Sequence, residues 1–328
     1  MKTKVIAVSA IAALSAFYTL KTHAQVDYSV VKVNEESGIN FTQMTSDNDY
    51  VCMPQVRRSG KSIDWLSNRI LDISTDNAKL AYLSARNNTT NIFIKEIDKQ
   101  GSSVQRTNRQ AVLDFSYSPD GTYICFSEAS GRVNQIFQTS ATSGYVCRQI
   151  TSANQDYSPC YSPDMKNIFF SRMERGGGSV WSYNIQNNFL SSYTRGINPY
   201  PMSDKNSILC TRFNADGRGE IWRVNYDTGI EECIVSDPVR SFTSPCMSPK
   251  GNWILFVGSN VLTNGTQQYA NTDIFACHTD GTNMVQLTYH AADDLSPVWC
   301  REGCHVYFIS QRGSQTGTAN VWRIDFPY

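Results

Sequence analysis

Tyr117-Ser118-Pro119-Asp120-Gly121 is followed at once by the apolar run Tyr123-Ile124-Cys125-Phe126, and this pairing recurs along the chain. The clearest further copies are Tyr161-Ser162-Pro163-Asp164, Met247-Ser248-Pro249-Lys250-Gly251 and Trp299-Cys300-Arg301-Glu302-Gly303. Weaker copies lie at Ile73-Ser74-Thr75-Asp76-Asn77 and Met202-Ser203-Asp204-Lys205. With Ser74, Ser118, Ser162, Ser203, Ser248 and Cys300 taken as equivalent, the spacings are 44, 44, 41, 45 and 52 residues. Proline fixes φ at the first corner of such a turn and glycine accepts a positive φ, so each copy reads as a tight turn between strands. An aliphatic–aromatic pair follows in every copy: Ile92-Phe93, Ile136-Phe137, Val180-Trp181, Ile221-Trp222, Ile274-Phe275 and Val321-Trp322. Short runs of β-branched and aromatic residues bounded by Gly, Asn, Asp and Pro are strands.

Four strands per repeat of about 44 residues, six times over, predict an all-β chain: a six-bladed β-propeller of four-stranded blades spanning residues 71–328. Apolar second strands suit blades packed face to face, where both sides of a sheet are covered. The sixth copy stops at its third strand, 320–326, and its missing fourth strand can come from the N-terminal segment. Phe41-Thr42-Gln43-Met44-Thr45 resembles the fourth-strand ends Gln149-Ile150-Thr151 and Gln286-Leu287-Thr288. Residues 39–45 are therefore expected to close the ring beside 320–326, which removes two exposed sheet edges.

The 29 Lys and Arg residues balance 29 Asp and Glu, and 41% of the chain is hydrophobic. That composition is globular and excludes a nucleic-acid partner held by bulk charge. The first 24 residues hold three lysines and no acid. Lys2 and Lys4 precede a run of small and apolar residues from Val5 to Leu20, and Thr22-His23-Ala24 offers small groups at a cleavage site. Residues 1–24 thus read as a signal peptide, which implies export and no membrane span in the mature chain. Residues 25–70 form an N-terminal segment with the closing strand and an insertion, 46–70, on the top face.

The repeats resemble the WD-like repeats of the TolB type, whose pattern runs Leu-Thr, Asp, Pro, an aromatic residue and Ser-Pro-Asp-Gly. The best local match is Leu287-Thr288-Tyr289-His290-Ala291-Ala292-Asp293-Asp294-Leu295-Ser296-Pro297-Val298-Trp299. The resemblance covers residues 40–328 and implies a periplasmic protein of a Gram-negative bacterium with an envelope protein or peptide as partner. TolB itself carries a further N-terminal α/β domain, for which residues 25–70 are too few. Similar propellers form the lid of prolyl-oligopeptidase-type enzymes, but no Gly-x-Ser-x-Gly elbow occurs here. Others are oligogalacturonate lyases with a histidine-held metal. Only His278, His290 and His305 follow the signal segment, and they do not assemble the three or four ligands of a metal centre.

Arg86, Arg132, Arg172, Arg212 and Arg312 fall just past a second strand, in loops that share one face. They are expected either to grip carboxylates of a partner or to form salt bridges within their blades. Asp72, Asp114, Asp156 and Asp294 recur near the innermost strands, as a ring that could hold a cation in the central channel or as caps of their own loops. Trp65 is read as lining a pocket or covering the first blade. Of the ten cysteines, Cys125 and Cys210 share one repeat position and Cys160 and Cys246 another, so they are read as packing residues. Cys300 and Cys304 flank a turn and are within reach of a disulfide. The leading expectation is a monomeric, non-catalytic binding scaffold without a cofactor. The alternative is a carbohydrate-active propeller, a lyase or a glycan-binding module, in which Trp65, His290, Asp293, Asp294 and the arginines handle a uronic-acid polymer.

Overall fold

The computed structural model describes residues 40–328 apart from 55, 60–61, 66–68, 98–100, 144, 176 and 265–266, with backbone alone over 56–59, 62–65, 260–264 and 267–270. The expected signal segment 1–24 lies outside the described residues, as does the first residue of the expected closing strand.

Each repeat folds into a four-stranded antiparallel sheet, and there are six among the described residues. The first contains Leu71–Ile73, Lys79–Arg86, Thr89–Glu96 and Val104–Gln105; the second contains Val112–Tyr117, Tyr123–Ser130, Val133–Ser140 and Cys147–Gln149. The third contains Gln155–Tyr161, Asn167–Glu174, Gly177–Asn184 and Leu190–Arg195; the fourth contains Ile197–Pro201, Ser207–Phe213, Gly219–Asn225 and Glu231–Val235. The fifth runs through Phe242–Met247, Trp253–Asn264, Gln267–His278 and Val285–Gln286. Asp294–Trp299, His305–Ser310 and Asn320–Asp325 make the sixth, and Phe41–Gln43 completes it. A single parallel pair, Asn134 with Gln155, joins the second sheet to the third. The first strand of each sheet packs against the first strand of the next, and that of the sixth packs back on that of the first, so the inner strands form a closed ring. This is a β-propeller, as the repeats predict.

The closing strand is where the sequence places it. Phe41 pairs with Ile324, Thr42 with Arg323 and Gln43 with Trp322. The Met44 amide then donates to the Val321 carbonyl at 2.8 Å, and Thr45 Oγ1 takes the Val321 amide at 2.9 Å. Beyond it, Asp49 rivets the seam to the first sheet. Its carboxylate accepts from Tyr82 Oη at 2.9 Å and from Lys95 Nζ at 2.8 Å, and its carbonyl accepts from Ser84 Oγ at 2.7 Å.

The second strands explain the apolar runs. Leu80, Tyr82, Ile124, Phe126, Ile168, Phe170, Ile208, Cys210, Ile254, Phe256, Val306 and Phe308 are all buried, and so are the intervening Ala81, Cys125, Phe169, Leu209, Leu255 and Tyr307. Both faces of each strand are covered, so alternation disappears. The marker serines close the turns. Ser74, Ser118, Ser162 and Ser248 each accept, at 2.9–3.0 Å, the amide of the residue five positions on. Cys300 takes over this role in the sixth sheet, with its Sγ accepting from the His305 amide at 3.1 Å.

The inner strands are irregular near the axis. Four of them shift register at a residue with left-handed φ: Ser158 (51°), Asn198 (57°), Ser244 (61°) and Ser296 (53°). Three of the amides so turned aside find acceptors in the preceding blade: Ser158 on Asp114 Oδ2 at 2.9 Å, Asn198 on Ser171 Oγ at 2.8 Å and Ser244 on Thr211 Oγ1 at 3.2 Å. Asp72 Oδ2 likewise accepts the Tyr117 amide at 2.9 Å. Asp72 and Asp114 thus act as staples between blades, and Asp72 also caps its own strand through the Ile73 amide at 2.8 Å.

Burial pushes the Asp114 carboxyl up to about 6 from its ordinary 3.8, against the opposing effect of the Ser127 and Ser158 hydrogen bonds. The folded state therefore favours its protonated form. That contribution is complete below about pH 4 and is lost as the pH rises through about 6. Asp114→Asn keeps an acceptor for the Ser158 amide without the charge. The stability of the natural chain relative to this variant should fall by roughly 3 kcal/mol between pH 4 and pH 7. Urea melts of both at several pH values measure this, and a difference independent of pH would contradict it.

Candidate functional site

Most of the arginines that the sequence singles out share one arrangement. Each third-strand aromatic carries a guanidinium: Arg86 over Phe93 at 4.0 Å, Arg109 over Phe137 at 4.6 Å, Arg172 over Trp181 at 4.3 Å and Arg212 over Trp222 at 4.7 Å. Arg240 over Phe275 at 5.7 Å and Arg312 over Trp322 at 5.9 Å complete the set. Most also have a polar partner close by. Arg172 Nε donates to Asp156 at 2.7 Å, Arg212 Nη2 to Glu231 at 2.6 Å and Arg312 Nη2 to Asp294 at 2.5 Å, while Arg86 Nη2 reaches the Asp49 carbonyl at 3.1 Å. Arg172 and Arg312 are only 6% exposed. Arg172, Arg212 and Arg312 thus follow the second of the two expectations, salt bridges within their blades, while Arg86 bonds a carbonyl of the closing segment. Arg132 alone of the five is exposed.

The remaining sequence candidates are similarly occupied. Asp156 and Asp294 are the partners of Arg172 and Arg312, so the four aspartates do not make a ring of open carboxylates. Among the described residues no three His, Cys, Asp or Glu side chains are placed to hold a metal ion. His290 Nδ1 accepts the Ala292 amide at 3.0 Å, and Asp293 accepts from the Thr272 amide at 2.9 Å. His278 lies edge-on to Trp253, with centroids 4.3 Å apart, and His305 Nδ1 is 3.0 Å from Asp325. Trp65 belongs to the strand Ser62–Trp65, paired with Val56–Ser59, and its side chain lies outside the described part.

A cavity of about 390 Å³ sits where the six inner strands end. Asp72, Tyr117, Tyr161, Tyr200, Cys246 and Trp299 line it from six different blades, with Cys160, Arg301 and the turn residues Pro119, Pro163, Ser203 and Pro249 around them. It therefore lies on the axis, at the face where the Ser-Pro-Asp turns project. The loops with Arg86, Arg172 and Arg212 leave the other ends of the second strands, hence the opposite face. A second cavity, near 20 Å³, is bordered by Ser158, Asn198, Ser244 and Ser296, the four residues with left-handed φ. Arg69 borders both.

The chemistry of the large cavity is that of hydrogen-bond donors. Burial holds the Tyr117, Tyr161 and Tyr200 phenols well above their ordinary range and pushes the Cys246 thiol up to about 11. Arg301 Nη2 lies 3.4 Å from Asp72. Asp72 is the one carboxylate in the lining, and its oxygens already hold the Ile73 and Tyr117 amides. A repeat signal for part of this site was available. Tyr117, Tyr161, Met247 and Trp299 all stand directly before the marker residue. Arg69 and Tyr200 had none, because Arg69 precedes the first repeat and Tyr200 is offset from the shared position.

Cys300 and Cys304 have their sulfurs 3.4 Å apart, both as thiols. Burial and then the Cys300 neighbour push the Cys304 thiol up to about 11.

Residues 15–264 match the family described as the TolB beta propeller domain. The Tol-Pal system protein TolB of Francisella tularensis subsp. mediasiatica is 26% identical over 202 residues, which cover 58% of this chain and 46% of that protein. The chain thus spans about half the length of the curated relatives it matches. The crystal structure of TolB from Acinetobacter baumannii superposes with a TM-score of 0.52 at 16% identity, over 69% of this chain and 57% of that one. An oligogalacturonate lyase from Vibrio parahaemolyticus superposes with a TM-score of 0.59 at 11% identity, over 89% and 94% of the two chains. At such identities the structural likeness speaks for the fold alone.

Two predictions rest on these contacts. Arg312→Ala leaves Asp294 charged and buried, so it should cost about 3–5 kcal/mol in urea denaturation, whereas exposed Arg132→Ala should stay within about 0.5. On mild treatment with oxidised glutathione, non-reducing peptide mapping should find Cys300 joined to Cys304 before any link involves buried Cys125, Cys210 or Cys277. A Cys304 that stays free while those react would contradict the second.

Proposed function

The chain belongs to the TolB β-propeller family, and from that premise we propose that it is an exported, non-catalytic scaffold that binds a protein or peptide of the bacterial cell envelope. The observation that carries this reading is the channel mouth. All six blades contribute to one cavity of about 390 Å³ whose polar groups are phenols, hydroxyls and thiols, two guanidinium groups and the single carboxylate of Asp72, already engaged by backbone amides. Such a lining can donate hydrogen bonds and offer aromatic faces to an extended segment. It holds no activated nucleophile, because Cys246 stays a thiol at neutral pH and a thiol is unreactive until ionised. The protein acts in the periplasm of a Gram-negative cell, as a monomer and without a cofactor; export rests on the basic and apolar run of residues 1–24. The carbohydrate-active reading has less support. His278, His290 and His305 face separate local partners, and the lyase shares the fold at 11% identity.

Capture from envelope extracts on the immobilised full chain tests the proposal. The natural chain should retain specific envelope proteins. A Pro119→Trp/Pro249→Trp variant, which obstructs the mouth from two exposed turns, should retain at least fivefold less, while Arg132→Ala on the opposite face retains as much. Equal recovery by the obstructed variant would remove the channel mouth from the argument. Chelator-sensitive cleavage of polyuronate, followed by ultraviolet absorbance, would replace the scaffold with an enzyme.

A further inference from the structure

We propose that the channel takes a carboxylate, the free C-terminus of a peptide, on Arg69 and Asn198. This deepens the peptide-binding reading above and rests on it.

Arg69 is held at the axis by its backbone. Its carbonyl accepts the Phe115 amide of the second blade at 2.8 Å, and the next carbonyl, that of Ile70, accepts the Leu83 amide at 3.0 Å. The guanidinium lies 5.0 Å from the centroid of Tyr200 and borders both channel cavities. The contrast with the other stacked arginines is informative. Arg86, Arg109, Arg172, Arg212 and Arg312 each stack on an aromatic ring and also donate to a carboxylate or carbonyl. Arg69 has the ring, but its guanidinium donates to no described residue. A guanidinium presents five N–H donors, and the half-buried Arg69 has its own available to a ligand in the cavities it borders.

Asn198 supplies an independent sign at the same place. It is 6% exposed, borders the small cavity, and its Nδ2 is a buried donor without a partner among the described residues. Its orientation is set from the other end, since Oδ1 accepts from Ser158 Oγ at 3.2 Å. Two unfilled donors, one of them cationic, thus border a space of about 20 Å³, enough for one or two oxygen atoms.

The nearby acids do not fill these donors. Asp72 is engaged by the Ile73 and Tyr117 amides and Arg301, and Asp114 by Ser127 and the Ser158 amide. They do limit the charge the site accepts. With two carboxylates close to Arg69, a monoanion is favoured over a phosphate dianion. A planar carboxylate also matches the guanidinium fork. From there the 390 Å³ cavity leads outward between Tyr117, Tyr161 and Trp299, room for the last few residues of a peptide and not for a chain passing through.

The test uses the full chain and a pool of N-acetylated tripeptides, once with free carboxyl ends and once as C-terminal amides, read by saturation-transfer NMR. The free acids should bind at least tenfold better than the amides, acetate should displace them, and Arg69→Gln should abolish the preference in a chain that still melts cooperatively. Equal binding of acid and amide would overturn the proposal, and that comparison needs no variant to fold. So would displacement by inorganic phosphate at lower concentration than by acetate, or retention of trigalacturonate with no peptide bound. Envelope capture that succeeds while acid and amide bind alike would leave the scaffold standing without this site. Acid-selective binding with no captured envelope protein would do the reverse.

Discussion

The ring is closed by the short antiparallel ladder between Phe41–Gln43 and Trp322–Ile324. Six sheets whose inner strands touch in a ring have no free end only if the last is complete, and its outer strand is supplied from the other end of the chain. The ladder is brief, so its neighbours matter. Thr45 Oγ1 bonds Asn320 Oδ1 at 2.9 Å, and Asp49 ties the same stretch to Tyr82 and Lys95 of the first sheet. The seam thus joins the sixth and first blades by side chains as well as by backbone.

Those inner strands show why the fold was legible and the site was not. The turn and second-strand pattern repeats because each copy does the same local job: a serine closes a turn and an apolar strand fills the space between sheets. Such jobs leave a period in the sequence. The channel mouth is assembled from one or two residues of each of six sheets, and no window of sequence contains it. Even so, the large residue before each marker, as in Tyr117, Tyr161 and Trp299, records that six strands converge on one cavity.

The arginines carry the complementary lesson. Their recurrence beyond the second strands drew attention as a binding face, yet recurrence is what a structural role produces. A guanidinium over every third-strand aromatic, from Arg86 on Phe93 to Arg312 on Trp322, is a repeated blade component. The burial of Arg172 and Arg312 against Asp156 and Asp294 follows from it. The aspartates reached the same outcome by two routes, Asp72 and Asp114 bonding the next blade's amides and Asp156 and Asp294 neutralising an arginine.

In a ring of near-equivalent units, function then has to be sought where the units differ. Arg301 stands where three of the other turns have proline, Cys300 where the others have serine, and Asn198 where the other left-handed positions hold Ser158, Ser244 and Ser296. Arg69 precedes the repeats altogether. Three of these four, Arg69, Arg301 and Asn198, border the channel cavities, and Cys300 is bonded directly to Arg301. A substitution at a repeated position removes one sixth of a shared support. A departure from the repeat at the axis adds a group that no other blade offsets, so the channel can gain a charge or a donor while the ring around it stays the same.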